Sequence, residues 1–285
     1  MGITDKAMLI NLHISQWTAR KYDRSVSDHI EDEYDARDAG RYNKILIAQD
    51  AIKKINKISN KARIFHYENT LPWGDNDDRI LPSANYFDYI KEMRKIKEQF
   101  NKTVEEFCET YPSLIEEAKT RLNRMFKDED YPPVQLIHHK YHFEVVINPI
   151  SNPNDFRVSI NDKEVERIKK DIETRMNKAQ VDAMKNLWDR LYEKVQKIAD
   201  TLGKSDAIFR DSLIGNVVSL CELLPKLNIE NDPELTKMKN EIENNLITYS
   251  PNDIRNNSKI REETADKADA ILKKMASYIG GTYGK

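Results

Sequence analysis

The stretch KEVERIKKDIETRMNKAQVDAMKNLWDRLYEKVQKIADTL, residues 163 to 202, decides the fold class. Its apolar positions Val165, Ile168, Ile172, Met176, Ala179, Ala183, Leu187, Leu191, Val195, Ile198 and Leu202 recur every three or four residues. Ten steps over 37 residues average 3.7, which is the period of a straight α-helix and longer than the 3.5 of a left-handed coiled coil. At a rise of about 1.5 Å per residue the helix extends about 55 to 60 Å.

The same periodicity continues on both sides. Ile45, Ala48, Ile52, Ile55, Ala62 and Phe65 predict one amphipathic helix, and Tyr86, Ile90, Met93, Ile96, Phe100, Val104 and Phe107 a second. The second should stop near Tyr111, because Pro112 has no amide proton for a helix interior, and Leu114, Ala118, Leu122 and Met125 then mark a third. After the long helix, residues 208 to 224 predict a central helix that ends before Pro225. A further helix opens with Asp232 as N-cap and Pro233 at its first position and runs to about Tyr249. The last spans about Ser258 to Ile279, ahead of Gly280 and Gly281. Ser250 to Asn257 reads as a connecting loop. Ile3 to Tyr22, with Leu9, Leu12, Ile14 and Trp17 and few charges, is a buried element whose type stays open.

Two segments break the helical period. Between 134 and 160 it falls to two: Ile137, His139, Tyr141, Phe143, Val145 and Ile147 alternate with His138, Lys140, His142 and Glu144, and Phe156, Val158 and Ile160 supply a second strand. Together they predict a β-hairpin. Residues 71 to 86, LPWGDNDDRILPSANY, are bracketed by Pro72 and Pro82, which push the residues before them toward extended backbone. Inside that loop Trp73 offers a large apolar surface, and Arg79 can partly neutralise the polar turn of Gly74, Asp75, Asn76, Asp77 and Asp78. The expectation is therefore a mainly α fold, a long-helix bundle with a small β-hairpin insertion around residues 134 to 160. Its N-terminal region covers 1–161, and its C-terminal bundle covers 162–285.

Composition narrows the function. The chain has 285 residues, 33% of them charged, with 46 basic against 48 acidic side chains and a formal charge of −2. Whole-protein electrostatics therefore does not favour nucleic acid or an anionic membrane, and any such contact needs a local patch. Cys108 and Cys221 lie isolated in apolar helical patterns, which suits inert thiols in a reducing compartment. No signal peptide and no apolar run of about 20 residues is seen, so a cytoplasmic protein without a membrane partner is expected.

Charge is unevenly distributed. Residues 23 to 38 hold seven acidic side chains against Arg24 and Arg37; residues 41 to 66 hold seven basic ones against Asp50 alone. Gly40 is a turn that would lay one block along the other, each neutralising its neighbour. Lys53, Lys57 and Lys61 make an i, i+4 stripe suited to phosphates, with Arg20, Lys21 and Arg41 as further basic candidates.

Catalytic patterns do not emerge. Gly203-Lys204-Ser205 lacks the earlier glycine of a P-loop and reads as a helix stop with a capping serine. In a strand His138 and His142 stand about 13 Å apart with His139 on the other face, so the three do not converge on one metal. Asp75 to Asp78 lack EF-hand spacing. No cofactor, metal or catalytic residue is assigned, and the chain is expected not to be an enzyme.

The strings Ile14 to Lys21, Ala39 to Lys44, Leu71-Pro72-Trp73 and Arg79 to Pro82 with Tyr86 resemble an uncharacterised family of helical proteins of tailed bacteriophages and integrative elements, sometimes encoded near MoxR-type AAA ATPases and von Willebrand A-domain proteins. The likeness covers mainly residues 8 to 160. It implies a phage or mobile-element setting and work on DNA or on a protein complex, and it brings no catalytic residues. The reading that follows is a non-enzymatic, homo-oligomeric scaffold or adaptor in a phage-infected cell. Its partner is a host or phage protein, such as a host-defence or AAA ATPase complex, bound through Trp73, Asp75, Asp77, Arg79 and Tyr86. The alternative is a nucleic-acid-binding accessory of phage replication or recombination that uses Arg20, Lys21, Arg41, Lys53, Lys57 and Lys61.

Overall fold

A computed structural model describes residues 2–74, 78–152, 161–204 and 207–282. In chain order the elements are α1 (Ile3–Lys6), β1 (Ala7–Ser15), β2 (Arg20–Tyr22), α2 (Arg24–Glu33), β3 (Asn43–Ile45), α3 (Gln49–Asn69), β4 (Leu71–Pro72), β5 (Arg79–Pro82), α4 (Tyr86–Leu122), β6 (His142–Asn148), α5 (Asp162–Leu202), α6 (Ser212–Leu227), α7 (Pro233–Leu246), α8 (Pro251–Asn256) and α9 (Ser258–Thr282). The fold is mainly α with a small sheet. None of the described helices is long and apolar enough to cross a membrane.

The long helix is α5, 41 residues, about 60 Å at the standard rise. Asn161 caps it by accepting from the Glu164 amide at 2.9 Å. Asp232 caps α7 as its sequence predicts, its Oδ1 accepting from the Glu234 amide at 2.9 Å.

Several expectations need correction. The open element at residues 3 to 22 is α1, β1 and β2. The helix expected to stop at Tyr111 runs through Pro112 as the single 37-residue α4. An interior proline costs about 3 kcal/mol, yet Tyr111 is fully buried there, packing edge-on to Trp17 with ring centroids 5.6 Å apart. Next to the proline, Ser113 Oγ donates to the Thr110 carbonyl at 2.7 Å. Likewise α6 passes Pro225 and ends at Leu227. The expected 250 to 257 loop contains α8, held by a reciprocal Ser250 and Asp253 cap. Gly280 and Gly281 lie inside α9.

The two-period segment also starts later than its pattern suggests. Residues 137–140 form a 3-10 turn, and the strand begins at His142. Its expected partner, with Phe156, Val158 and Ile160, lies outside the described residues; in the sheet β6 neighbours β1, the order being β4-β5-β1-β6. The proline-bracketed loop is in fact a small hairpin, with Leu71 opposite Ile80 and Pro72 opposite Arg79. β5 in turn pairs with β1, Ala7 opposite Pro82.

The chain packs as two compact units, neither of them one continuous stretch. The first comprises residues 1–11, 67–88 and 147–285, so it contains the whole expected C-terminal bundle, and the second comprises 12–66 and 89–146. The first unit has an extensive apolar core in which Leu187, Trp188, Leu191 and Val195 of α5 meet Val217 and Cys221 of α6 and Ile271 of α9. In the second, Phe100, Phe107 and Tyr111 of α4 pack with Trp17, Tyr141 and Phe143.

Candidate partner-binding cleft

The second unit holds a buried charge cluster that organises its surface. β2 and β3 form a two-stranded antiparallel ladder in which Lys21 stands directly opposite Lys44. Like charges in that position repel, and Asp130 resolves the conflict. It arrives on the 3-10 turn Asp128–Asp130 after α4, and its carboxylate lies 2.7 Å from Lys21 Nζ and 2.5 Å from Lys44 Nζ. Lys44 is only 2% exposed. Its ammonium also lies 3.2 Å from Asp23 and donates to the Met125 carbonyl at 2.9 Å.

These contacts set the titration of all three groups. Burial works against the Asp130 charge, but hydrogen bonds from Lys21 and Lys44 prevail and hold its pKa below the usual carboxylate range. Asp23 is lowered chiefly by a hydrogen bond from Ser25, with Lys44 adding to it against desolvation. Desolvation opposes the Lys44 charge as well, and Asp130 and Asp23 outweigh it, raising the ammonium. The cluster is thus ionised and charge-balanced across the neutral range. Here the acidic block from residue 23 does meet the basic block from residue 41, through Asp23 and Lys44.

The segment carrying Asp130 is fastened independently. Tyr131 donates its hydroxyl to the Leu46 carbonyl at 2.7 Å, and Arg121 donates to the carbonyls of Ile45 and Leu46 at 2.9 and 3.0 Å. Phe126 stacks on Tyr131, centroids 5.0 Å apart. Fixing residues 123 to 133 in this way opens a cleft of about 590 Å³ beside β2. Leu46 and Tyr131 are its buried apolar members, and Trp17, Pro132, Pro133 and Leu136 extend the apolar surface outward. Arg20, Lys21, His139 and Lys140 contribute basic side chains, and Glu129 and Asp130 acidic ones. A smaller cavity of about 180 Å³ shares Lys21, Glu129 and Asp130 and reaches Asp23 and Lys44. The cleft can bind an elongated ligand with apolar and anionic groups; nothing in it pairs a nucleophile with a base.

Of the residues singled out on sequence, Arg20 and Lys21 line this cleft, Arg20 reaching Gln49 Oε1 at 3.4 Å. Arg41 lies over the Tyr22 ring, 6.0 Å from its centroid. In the lysine stripe Lys53 pairs with Asp50 at 3.5 Å and Lys61 with Glu92 at 3.0 Å, while Lys57 is exposed. Those six all belong to the second unit. Trp73, Arg79 and Tyr86 belong to the first. Trp73 packs half-buried on the apolar core. Arg79 turns back to donate to Thr70 Oγ1 at 2.6 Å and to cover the Tyr67 ring at 4.7 Å. Tyr86 meets Phe87 edge-on. Asp75 and Asp77 lie outside the described residues, as does Ser205. His139 faces the cleft and His142 pairs with Glu144 at 3.2 Å; among the described residues no cluster of three metal-ligating side chains exists.

Sequence reasoning missed Lys44, Asp130, Tyr131 and the Pro132-Pro133 wall. Only the proline pair carries a local signal, since consecutive prolines end a helical run. Comparison with known proteins gives no match to a family model, to a curated protein or to a solved structure.

Proposed function

We propose that the chain is a non-enzymatic adaptor whose second unit receives a segment of a partner protein in the cleft beside β2. What carries this reading is the coincidence of Trp17, Leu136 and the proline wall with Arg20, Lys21 and Lys140 in one open cleft. Such a surface combines apolar contact with charges that set orientation and specificity. The ion pairs under it keep Lys21 in place before any ligand arrives, which lowers the ordering cost of binding.

Single-stranded nucleic acid is the competing occupant, because bases stack on aromatic faces while phosphates pair with cations. Glu129 and Asp130 in the same cleft, and the internal pairing of Lys53 and Lys61, favour the protein reading. Panning a random peptide library against the purified chain should enrich peptides that bind the wild type and not the Arg20→Glu, Lys140→Glu double variant. Failure to enrich any such peptide overturns the reading. Retention of a labelled oligonucleotide with a steep salt dependence, lost in the same variant, assigns the cleft to nucleic acid instead. We also propose the phage or mobile-element setting and self-association, the latter supported by exposed Phe87 and Val181 in the first unit. Light scattering should give at least twice the 33.4 kDa of one chain; a single-chain mass sinks that part.

A further inference from the structure

β2 is a three-residue strand in which Arg20, Lys21 and Tyr22 are all exposed, and among the described residues its sheet contains β2 and β3 alone. The backbone bonds that bracket this ladder run from the Leu46 amide to the Ala19 carbonyl at 2.8 Å and from the Asp23 amide to the Tyr42 carbonyl at 3.0 Å. Hydrogen-bonded pairs alternate along an antiparallel ladder, so Lys21 is the bonded residue between them. The amides and carbonyls of Arg20 and Tyr22 consequently point away from β3. The opposite edge is treated differently: on β3 the outward Ile45 carbonyl accepts from Arg121 at 2.9 Å. One outward group of β3 is thus occupied, and among the described residues none of the outward main-chain groups of β2 is. A two-stranded ribbon with an open edge is a template for strand addition.

The charges on β2 select the occupant. A second copy pairing antiparallel across a two-fold axis sets Lys21 against its own copy if centred there, and Arg20 against its copy if centred one residue earlier. Centred on Tyr22, it needs Asp23 and Arg24, but Arg24 already opens α2 and the Asp23 carboxylate is engaged with Lys44. The registers that lie within β2 oppose like charges, which destabilises a ladder. Carboxylates opposite Arg20, which has no acidic partner among the described residues, reverse the sign. We propose that the β2 edge binds an extended, acidic segment of a partner protein as a third strand, its main chain bonding Arg20 and Tyr22. The inference rests on reading the second unit as the partner-binding surface and specifies which backbone atoms and which ligand charge that surface uses.

Replacing Tyr22 separates backbone from side chain. Tyr22→Pro removes an outward amide, keeps the β3 ladder bonds and follows Lys21 in extended backbone, which proline accepts at an edge. Tyr22→Ala loses the same ring and keeps the amide. The probe is a labelled peptide of alternating glutamate and threonine, with a lysine–threonine peptide as charge control and versions N-methylated on alternate residues in each register. The glutamate peptide should bind and the lysine peptide should not. Tyr22→Pro should weaken binding about tenfold or more relative to Tyr22→Ala, with unchanged circular dichroism, and only one N-methyl register should abolish it. Equal affinity of the two Tyr22 variants, tolerance of both N-methyl registers, or no binding of the glutamate peptide overturns strand addition. Library peptides lost in the Arg20→Glu, Lys140→Glu variant but insensitive to Tyr22→Pro leave the cleft reading intact and refute this one alone.

Discussion

Trp188 in the first unit and Lys44 in the second are both withdrawn from water, at 0% and 2% exposure, and are held there by opposite means. Trp188 lies on α5 in the apolar core, its ring tilted against Tyr278 with centroids 4.8 Å apart. Its one polar atom, Nε1, donates to Asp232 Oδ2 at 3.0 Å, the carboxylate that also caps α7. Lys44 is buried as a charge, and its surroundings are two carboxylates and a carbonyl. The first arrangement draws mainly on area removed from water. The second has already met a large desolvation cost and is stable only while every partner stays in place and ionised. The first unit is therefore built as a scaffold, and the second as a surface whose shape depends on electrostatics.

The largest effect should come from Trp188→Ala, which opens a cavity and leaves Asp232 without its indole donor. A loss of about 5 kcal/mol, at the upper end for such truncations, is expected in denaturant unfolding. Lys44→Ala should follow at about 3 to 5 kcal/mol, because Asp23 loses its cation and Asp130 keeps only the half-exposed Lys21. The two variants should separate with pH. Protonating Asp23 and Asp130 relieves the uncompensated charge, so the Lys44→Ala deficit should shrink strongly in acid while the Trp188→Ala deficit, mainly a cavity, should change much less. Equal behaviour of the two would mean that Lys44 acts mainly through its packed stem.

The wild type carries the same signature. Asp23 and Asp130 titrate below their ordinary range in the fold, so their contribution is complete above the unfolded value of about 3.9 and is lost as pH falls through the lower folded values. Lys44 titrates above its ordinary value; its contribution is complete below about 10.4 and is lost as pH rises through the raised one. Unfolding followed by probes specific to each unit should show the second unit weakening first at both extremes. Trp73→Ala comes next in size: the ring is only half-buried on the first unit's core, so about 1 to 3 kcal/mol is expected. Peptide binding at the cleft should be unchanged, and a loss of binding there would move the partner site to the 71–86 segment.

The same contrast explains what was legible. The first unit is written in local periodicity: the 3.7 spacing of α5 and the Asp232-Pro233 start of α7 are visible within a few residues of chain. Its misreadings at Pro225 and at α8 occur where a local breaker is overridden by burial of Leu224, Leu227 and Ile254; Gly280 and Gly281 continue α9 with nothing among the described residues packed against them. The second unit depends on pairs far apart in sequence. Lys44 reads as one of seven basic residues in its block, and nothing nearby marks it as the one that meets Asp130, 86 positions later. Arg20 and Lys21 were selected on charge alone; their setting needed β2, whose three residues are too few to show a period. Pro112 stays inside α4 because Trp17, nearly a hundred residues away, packs on Tyr111.

The smallest effect tests whether the shared carboxylate is apportioned as proposed. Lys21 and Lys44 both contact Asp130, but the Lys21 side chain is 49% exposed and the Lys44 side chain 2%. Solvent screens the first pair, so Lys21→Ala should cost under about 1 kcal/mol. Its removal also relieves the repulsion across the ladder from Lys44, which trims the loss further. In the double variant with Lys44→Ala the two losses should not add, because with Lys44 gone Lys21 is the cation left on Asp130 and its removal then costs more than in the wild type. A double-mutant cycle measures that difference directly, and a coupling energy near zero would mean that the two lysines act on Asp130 independently.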